Sequence, residues 1–209
     1  MTPKLVIGTN NEGKLREFRT LLDGCGFELV TPAELGVAFA PEETGSTFEE
    51  NATIKAVEAA RTSGLVALAD DSGLEIDYLG GRPGIFSARY AGGDLTSDSI
   101  SESEQNSIVL DELRGVPDEH RGARFRCVIA IATADGSVEC VDGVFEGRIA
   151  HEPRGEQGFG YDPIFFVPSH GMTSAQLPRD EKNRISHRGE AAAKALPLLR
   201  KMLRDDSTA

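Results

Sequence analysis

Short apolar runs alternate with segments of helical period over the first third of the chain, and this restricts it to folds that layer helices on a sheet. Lys4 to Gly8 is apolar and strand-like, and polar Thr9-Asn10-Asn11-Glu12-Gly13 follows it. From about Lys14, Leu15, Phe18, Leu21 and Leu22 share one helical face, which Gly24 and Gly26 end. A second strand is expected at Phe27 to Thr31. After the polar loop Pro41 to Ser46, Thr47 with Glu50 three positions on is a capping-box signal for a helix running to about Ser63 and stopped by Gly64. Leu65 to Ala69 reads as a buried strand ending in Asp70-Asp71-Ser72-Gly73, with another strand at Leu74 to Leu79.

Further along, Gly80 to Gly93 is rich in Gly and Pro and reads as an ordered loop or a lid. Ser97 to Leu113 has helical character. Ala123 to Thr133 and Val138 to Arg148, separated by Ala134-Asp135-Gly136-Ser137, read as a long hairpin turning on Asp-Gly. Glu152 to Arg188 is irregular, and a last helix is expected over Gly189 to Leu203, kinked or restarted at Pro197. Residues 205–209 read as a frayed tail. With no repeat and no visible linker, the expectation is one α/β domain over residues 1–209, with strands running in both directions because strand–helix alternation and a hairpin are both present.

At about 150 residues per domain, 209 residues suffice for a sizeable core. Acidic residues outnumber basic ones 34 to 22, a net charge of −12, which repels polynucleotides and anionic membranes and argues against a nucleic-acid or membrane partner. No apolar run approaches ~18 residues and no signal-peptide pattern opens the chain, so a cytoplasmic protein is expected. Cys25, Cys127 and Cys140 show no CxxC spacing, so neither a disulfide framework nor a zinc site is indicated.

Three segments carry candidate chemistry. Gly8 to Lys14 fits G-x-x-x-x-G-K, but Leu15 stands where a phosphate loop needs Ser or Thr for magnesium. The segment reads either as a polar turn capping a helix or as a helix N-terminus that, with Thr9, Asn11 and Lys14, holds a phosphate. Asp70-Asp71 at the expected strand end reads either as an Asx-type turn or as hard oxygen ligands for magnesium, with Glu42-Glu43 in a loop nearby in sequence. Gly158-Phe159-Gly160-Tyr161-Asp162-Pro163 sets aromatics between glycines, which suits stacking of a planar ligand. Lys182 and Ser186-His187-Arg188 add cations. There is no G-x-S-x-G elbow, no metal-ligand spacing among the four histidines, and no G-x-G-x-x-G after the first strand.

Taken in order, these segments resemble the inosine/xanthosine triphosphate pyrophosphatases, also called dITP/XTP pyrophosphatases. The resemblance runs from Leu5 to about Ala193. It rests on Thr9-Asn10-Asn11-Glu12-Gly13-Lys14, Glu42-Glu43-Thr44-Gly45 with Thr47-Phe48-Glu49-Glu50-Asn51-Ala52, Ala69-Asp70-Asp71-Ser72-Gly73-Leu74, Gly81-Arg82-Pro83-Gly84-Ile85-Phe86-Ser87-Ala88-Arg89-Tyr90, Phe159-Gly160-Tyr161-Asp162-Pro163-Ile164-Phe165 and Ser186-His187-Arg188-Gly189. It implies an elongated α/β fold with a mixed twisted sheet and a central cleft, a homodimer, and magnesium-dependent hydrolysis of non-standard purine nucleoside triphosphates to monophosphate and pyrophosphate. By the same resemblance, Thr9, Asn10, Asn11, Glu12, Gly13 and Lys14 contact the nucleotide, Lys55 faces its phosphates, and Asp71 is general base and metal ligand. Ser72 touches substrate, Phe159, Gly160, Tyr161 and Asp162 form the base pocket, and Lys182, His187 and Arg188 complete it. Apart from the resemblance, hydrogen-bond polarity makes a cation such as Arg188, with His187 beside it, a donor to the purine O6. The second metal carboxylate comes from the Glu42-Glu43 pair, with Glu43 favoured. A phosphate-loop NTPase would instead release orthophosphate, and a nucleotide-sensing module would bind without product.

Overall fold

The computed structural model describes residues 2–93, 95–97 and 99–206. Among these, strands β1 (Lys4–Ile7), β2 (Glu28–Val30), β3 (Val66–Ile76), β4 (Gly122–Ala132), β5 (Val138–Ile149), β6 (Phe165–Val167) and β7 (Met172–Thr173) form one sheet in the order β2-β1-β3-β4-β5-β6-β7. The α-helices are α1 (Glu12–Leu21), α2 (Phe48–Ser63), α3 (Glu102–Glu112), α4 (Arg179–Ile185) and α5 (His187–Asp206). The sheet is mixed: β1 runs parallel to β2 and β3, and β6 runs antiparallel to β5 and β7.

Contacts group the chain into two compact units, residues 1–71, 127–143 and 188–209 in the first and 72–126 and 144–187 in the second. Each unit is assembled from separated segments, which is why no linker is visible in the sequence. In the first unit β1 lies between two parallel neighbours, so Leu5, Val6 and Ile7 are all buried, as a parallel strand covered on both faces requires. Phe18 of α1 and Leu22 at its C-cap, Leu68 of β3, Ile129 and Ile131 of β4, and Ala191, Ala195 and Leu199 of α5 complete that core. The second unit packs Leu74, Ile76, Val109, Leu113, Phe125, Phe145, Tyr161 and Phe165 together. The Phe165 ring sits 4.5 Å from Phe125 and 5.2 Å from Phe145.

Gly147 lets β5 approach β6 this closely, because a Cβ there would stand 2.6 Å from both the Phe165 ring and the Phe166 carbonyl oxygen. The backbone oxygen cannot yield as a flexible side chain would. Gly147→Ala is therefore expected to destabilise the protein by about 1–3 kcal/mol through overpacking. Urea unfolding measures this, and an unchanged midpoint would show that the two strands can part.

Several boundaries differ from the sequence expectation. β3 does not stop before the acid pair but continues through it to Ile76 as one 11-residue strand. Buried charges are tolerated inside it because lysine and arginine side chains from three helices neutralise them, as the site geometry shows. The expected strand at Leu74 to Leu79 is the end of β3 followed by a 3-10 turn at Asp77–Leu79. Gly80 to Gly93 contains a 3-10 helix at Gly84–Arg89. α3 starts only at Glu102, where Ser101 and Glu104 form a reciprocal capping box that fixes the first turn. At Thr47 only half of the expected box forms: Thr47 Oγ1 accepts from Glu50 N, whereas the Glu50 carboxylate turns to Ser46. The stretch 152–188 holds β6, β7 and α4, elements too short to leave a periodic signature. α5 begins at His187 and is neither restarted nor ended at Pro197. Pro197 and Ala193, the residue whose carbonyl loses its helical donor, both lie on the exposed face, so that carbonyl is open to solvent rather than buried. Asp205 and Asp206, expected in the frayed tail, are the last residues of α5, and 207–209 lie outside the described residues. No helix among the described residues is long and apolar enough to cross a membrane. The three cysteines are free thiols.

Candidate active site

The loop after β1 is built by its own side chains. Asn11 caps α1, its Oδ1 accepting from Lys14 N at 2.9 Å, while Thr9 Oγ1 accepts from Asn11 N at 3.1 Å. Asn10 donates to the Phe39 carbonyl at 3.1 Å, Gly13 is buried, and Glu12 is exposed in the first turn of α1. Gly8 is explained by packing: a Cβ there would lie 3.2 Å from Ala59 and 3.3 Å from Ala69. α2 and β3 crowd that point, so a side chain there would have to push its neighbours by a few tenths of an ångström. The resulting helix N-terminus leaves backbone N–H groups beside Lys14, a combination that attracts anions.

Within β3, side chains alternate between faces, so Asp70 and Asp71 point opposite ways. Asp71 Oδ1 accepts from Lys55 Nζ at 2.7 Å, and the same ammonium reaches Glu43 Oε1 at 3.0 Å. Asn51 and Lys55 lie one turn apart on α2 and so share a face. Asn51 Nδ2 is 3.5 Å from Asp71 Oδ2, while its Oδ1 accepts from Gly45 N at 2.8 Å, tying the Glu43 loop to the helix. Burial pushes the Asp71 carboxyl above the ordinary carboxylate value against the opposing pull of Lys55 and Lys14. Burial also opposes charge on Lys55, but Asp71, Asp70 and Glu43 outweigh it and leave the ammonium harder to deprotonate than an ordinary lysine.

Asp70 meets a different set of partners. Its Oδ2 lies 3.1 Å from Lys14 Nζ and 3.1 Å from Arg188 Nη2. Arg188 Nη1 donates at 2.5 Å to Glu17 Oε2, so both guanidinium arms are engaged by carboxylates of the first unit. Burial alone would raise the Asp70 pKa, but Lys14, Arg188 and Lys55 hold it well below the usual range.

In the second unit Asp162 organises the glycine-rich turn. Its Oδ2 accepts from Phe159 N at 2.9 Å and from Lys182 Nζ at 2.5 Å, and its Oδ1 accepts from Ser174 Oγ at 2.8 Å. Gly158 has φ +81°, and a Cβ there would stand 2.0 Å from Asp162 Oδ2, so only glycine fits. Lys182 Nζ lies 5.2 Å from the centre of the Phe159 ring. Tyr161 is buried with its hydroxyl on the Ser87 carbonyl at 2.9 Å, and Gly160 O accepts from Asn106 Nδ2 at 3.0 Å. The His187 ring stacks on Phe125 at 4.8 Å. Ser72 is half-buried in β3, next to Asp71.

The structure therefore gathers Lys14, Lys55, Asp71, Glu43 and Arg188 in the first unit, and Phe159, Gly160, Tyr161, Asp162, Lys182 and His187 in the second. Of the Glu42-Glu43 pair, Glu43 joins Lys55 while Glu42 is exposed. Sequence reasoning did not single out Asn51, Glu17, Asn106 or Ser174. The i, i+4 spacing of Asn51 and Lys55 was an available signal, whereas Asn106 and Ser174 reach their partners only through tertiary folding.

A family model described as the Ham1 family matches residues 5–198. The dITP/XTP pyrophosphatase of Methylococcus capsulatus is 51% identical over 195 residues, covering 92% of this chain and 94% of that protein. That of Bacillus subtilis is 48% identical over 194 residues, covering 93% and 96%. Among solved structures, a HAM1 protein from Coxiella burnetii superposes with a TM-score of 0.84 at 45% identity, covering 95% of this chain and 99% of that one. A nucleoside-triphosphatase / dITP/XTP pyrophosphatase from Mycobacterium abscessus superposes with a TM-score of 0.71 at 40% identity, covering 93% and 99%. Family match, sequence identity and shared fold agree over nearly the whole length: this chain belongs to the Ham1 family.

Proposed function

We propose that this protein hydrolyses the non-standard purine nucleoside triphosphates ITP, dITP and XTP to the monophosphate and pyrophosphate, by attack of water on the α-phosphorus, and so clears them from the nucleotide pool. The observation that carries this reading is the buried Asp71, held at 2.7 Å by Lys55 with Glu43 on the same ammonium, in a chain half identical to dITP/XTP pyrophosphatases. Asp71 serves as general base, and Lys55 and Asn51 fix its oxygens. Lys55 and Lys14 face the phosphates and offset the charge that develops on the departing pyrophosphate. Thr9, Asn10, Asn11, Glu12 and Gly13 form the nucleotide-contacting loop at the start of α1. Phe159, Gly160, Tyr161, Asp162, Lys182, His187 and Arg188 serve the purine base, with Ser72 also touching substrate.

Magnesium fits the residues present. Asp71 and Glu43 converge on one cation, Lys55, and offer the hard oxygens that this ion prefers. No cluster of three or more His, Cys, Asp or Glu side chains arranged for a metal occurs among the described residues. Two carboxylates, with water and substrate phosphates, would complete the ion's shell, as is usual for magnesium. The ion supplies Lewis-acid polarisation of the phosphate. The same reading extends to a homodimer working in the cytoplasm without nucleic-acid or membrane partners.

Base choice follows from hydrogen-bond polarity. Hypoxanthine and xanthine present an acceptor at O6 and a donor at N1, and adenine reverses both. A donor left unpaired in a buried site costs about 1–3 kcal/mol, so ATP is expected to be turned over less than a tenth as efficiently as ITP. GTP, which differs from ITP by its 2-amino group, is expected to fall between them. A panel of nucleoside triphosphates in magnesium, with products separated, tests the assignment. Monophosphate and pyrophosphate are expected; diphosphate and orthophosphate would place the attack at the wrong phosphorus and overturn it.

A further inference from the structure

The two adjacent acids do different work. They are consecutive in one uninterrupted strand, so their side chains leave opposite faces. Asp71 meets α2 and the Glu43 loop, whereas Asp70 meets Lys14 of α1 and Arg188 of α5. The Asp70 side chain is wholly enclosed, with 0% of its surface exposed. A magnesium ion keeps several of its waters and sheds them reluctantly, so an enclosed carboxylate between two protein cations is a poor ligand for it. Asp70 Oδ1 accepts no hydrogen bond among the described residues, and Oδ2 alone faces both cations, 3.1 Å from each. Glu17 takes the other arm of Arg188, so two carboxylates offset two cations. Remove the shared carboxylate, and Lys14 and Arg188 lose the anion that holds them side by side.

We infer that Asp70 is a positioning residue: its buried carboxylate fixes Lys14 and Arg188 for the nucleotide and takes no part in holding the metal ion. This rests on the function proposed above, in which Lys14 grips the phosphates and Arg188 serves the base. Without Asp70, the Lys14 side chain samples its rotamers and must be ordered by the substrate itself. Substrate affinity then falls whether or not magnesium is present.

The test is calorimetric binding of the non-hydrolysable α,β-methylene analogue of ITP, in magnesium and again in EDTA. Asp70→Asn is expected to weaken binding at least tenfold in both buffers, while Asp71→Asn weakens it only in magnesium. Adding Asp70→Asn to a Lys14→Met background should cost at least threefold less than adding it to the wild type, because part of the effect runs through Lys14. A general structural defect would leave that cost unchanged. If Asp70→Asn does not fold, Asp70→Glu keeps the charge but shifts the carboxylate by one methylene, and it is expected to weaken binding in both buffers. Loss confined to magnesium, in either variant, makes Asp70 a metal ligand and overturns the inference, as does an unchanged affinity or an unchanged cost in the Lys14→Met background. Turnover of ITP by the wild type, measured alongside, keeps the two questions apart. Its failure overturns the functional reading and this inference with it; turnover accompanied by any of those contrary binding results overturns this inference alone.

Discussion

Asp71→Asn lowers the kcat for ITP by at least ~10²-fold and leaves the melting temperature near that of the wild type, because the amide keeps the shape of the side chain but cannot take a proton from water. The variant also loses the negative charge that Lys55 balances, so the ammonium is left with Glu43 and the more distant Asp70. KM is expected to rise as well, since the same carboxylate holds the metal ion, while the fall in kcat reports the lost proton transfer. Steady-state kinetics with pyrophosphate detection, beside a thermal melt, separates loss of chemistry from loss of fold. Activity within about threefold of the wild type in a folded protein would remove Asp71 from the base role, since general-base removal is worth at least ~10².

The largest effect on stability is expected in the second unit, at Arg121. The residue is 2% exposed and its guanidinium lies among main-chain carbonyls: Nε donates to Ile149 O at 2.8 Å, Nη2 to Ala150 O at 2.7 Å, and Nη1 to Leu113 O and Val116 O at 2.8 and 3.4 Å. One side chain thus fastens the end of α3, the segment after it and the end of β5 in the second unit. No other residue type carries enough donors in a planar fork to replace it. Arg121→Met removes every donor; Leu113 O keeps Val116 N, but the other buried carbonyls lose this partner, at about 1–3 kcal/mol for each left unsatisfied where water cannot reach. A total loss of about 3–5 kcal/mol is expected, or a fall in Tm of roughly 10 °C for a chain of this size. Arg114→Ala is the control. Its ion pair with Asp111 is exposed on both sides, so removing it should shift Tm by less than ~2 °C. Equal shifts for the two variants would mean that the carbonyl cage contributes nothing beyond a surface arginine.

Local sequence determined much of this protein. The apolar run of Leu5 to Ile7, the 3.6-residue period of Phe18 and Leu22, the stop at Gly64 and the Asp-Gly hairpin turn are readable because each depends on neighbours within a few residues. The six motif segments were also readable, and so the family was. Only the tertiary structure decided what the acid pair is. From sequence, Asp70-Asp71 looked like a strand terminus, since two carboxylates inside a buried strand are prohibitive unless paired. The cations that neutralise them come from α1, α2 and α5, and no local pattern encodes their arrival. Because β3 therefore continues, the alternation of its side chains sends Asp71 toward Lys55 and Glu43 and Asp70 toward Lys14 and Arg188. Asp162 is a second such case: sequence marked the residue, and only the fold shows that both its oxygens hold the turn, through Phe159 N, Ser174 and Lys182. In each case residue type fixed what the group can do. Long-range packing fixed which partner it meets, because desolvation makes a buried charge depend on counter-charges that the chain supplies from distant segments.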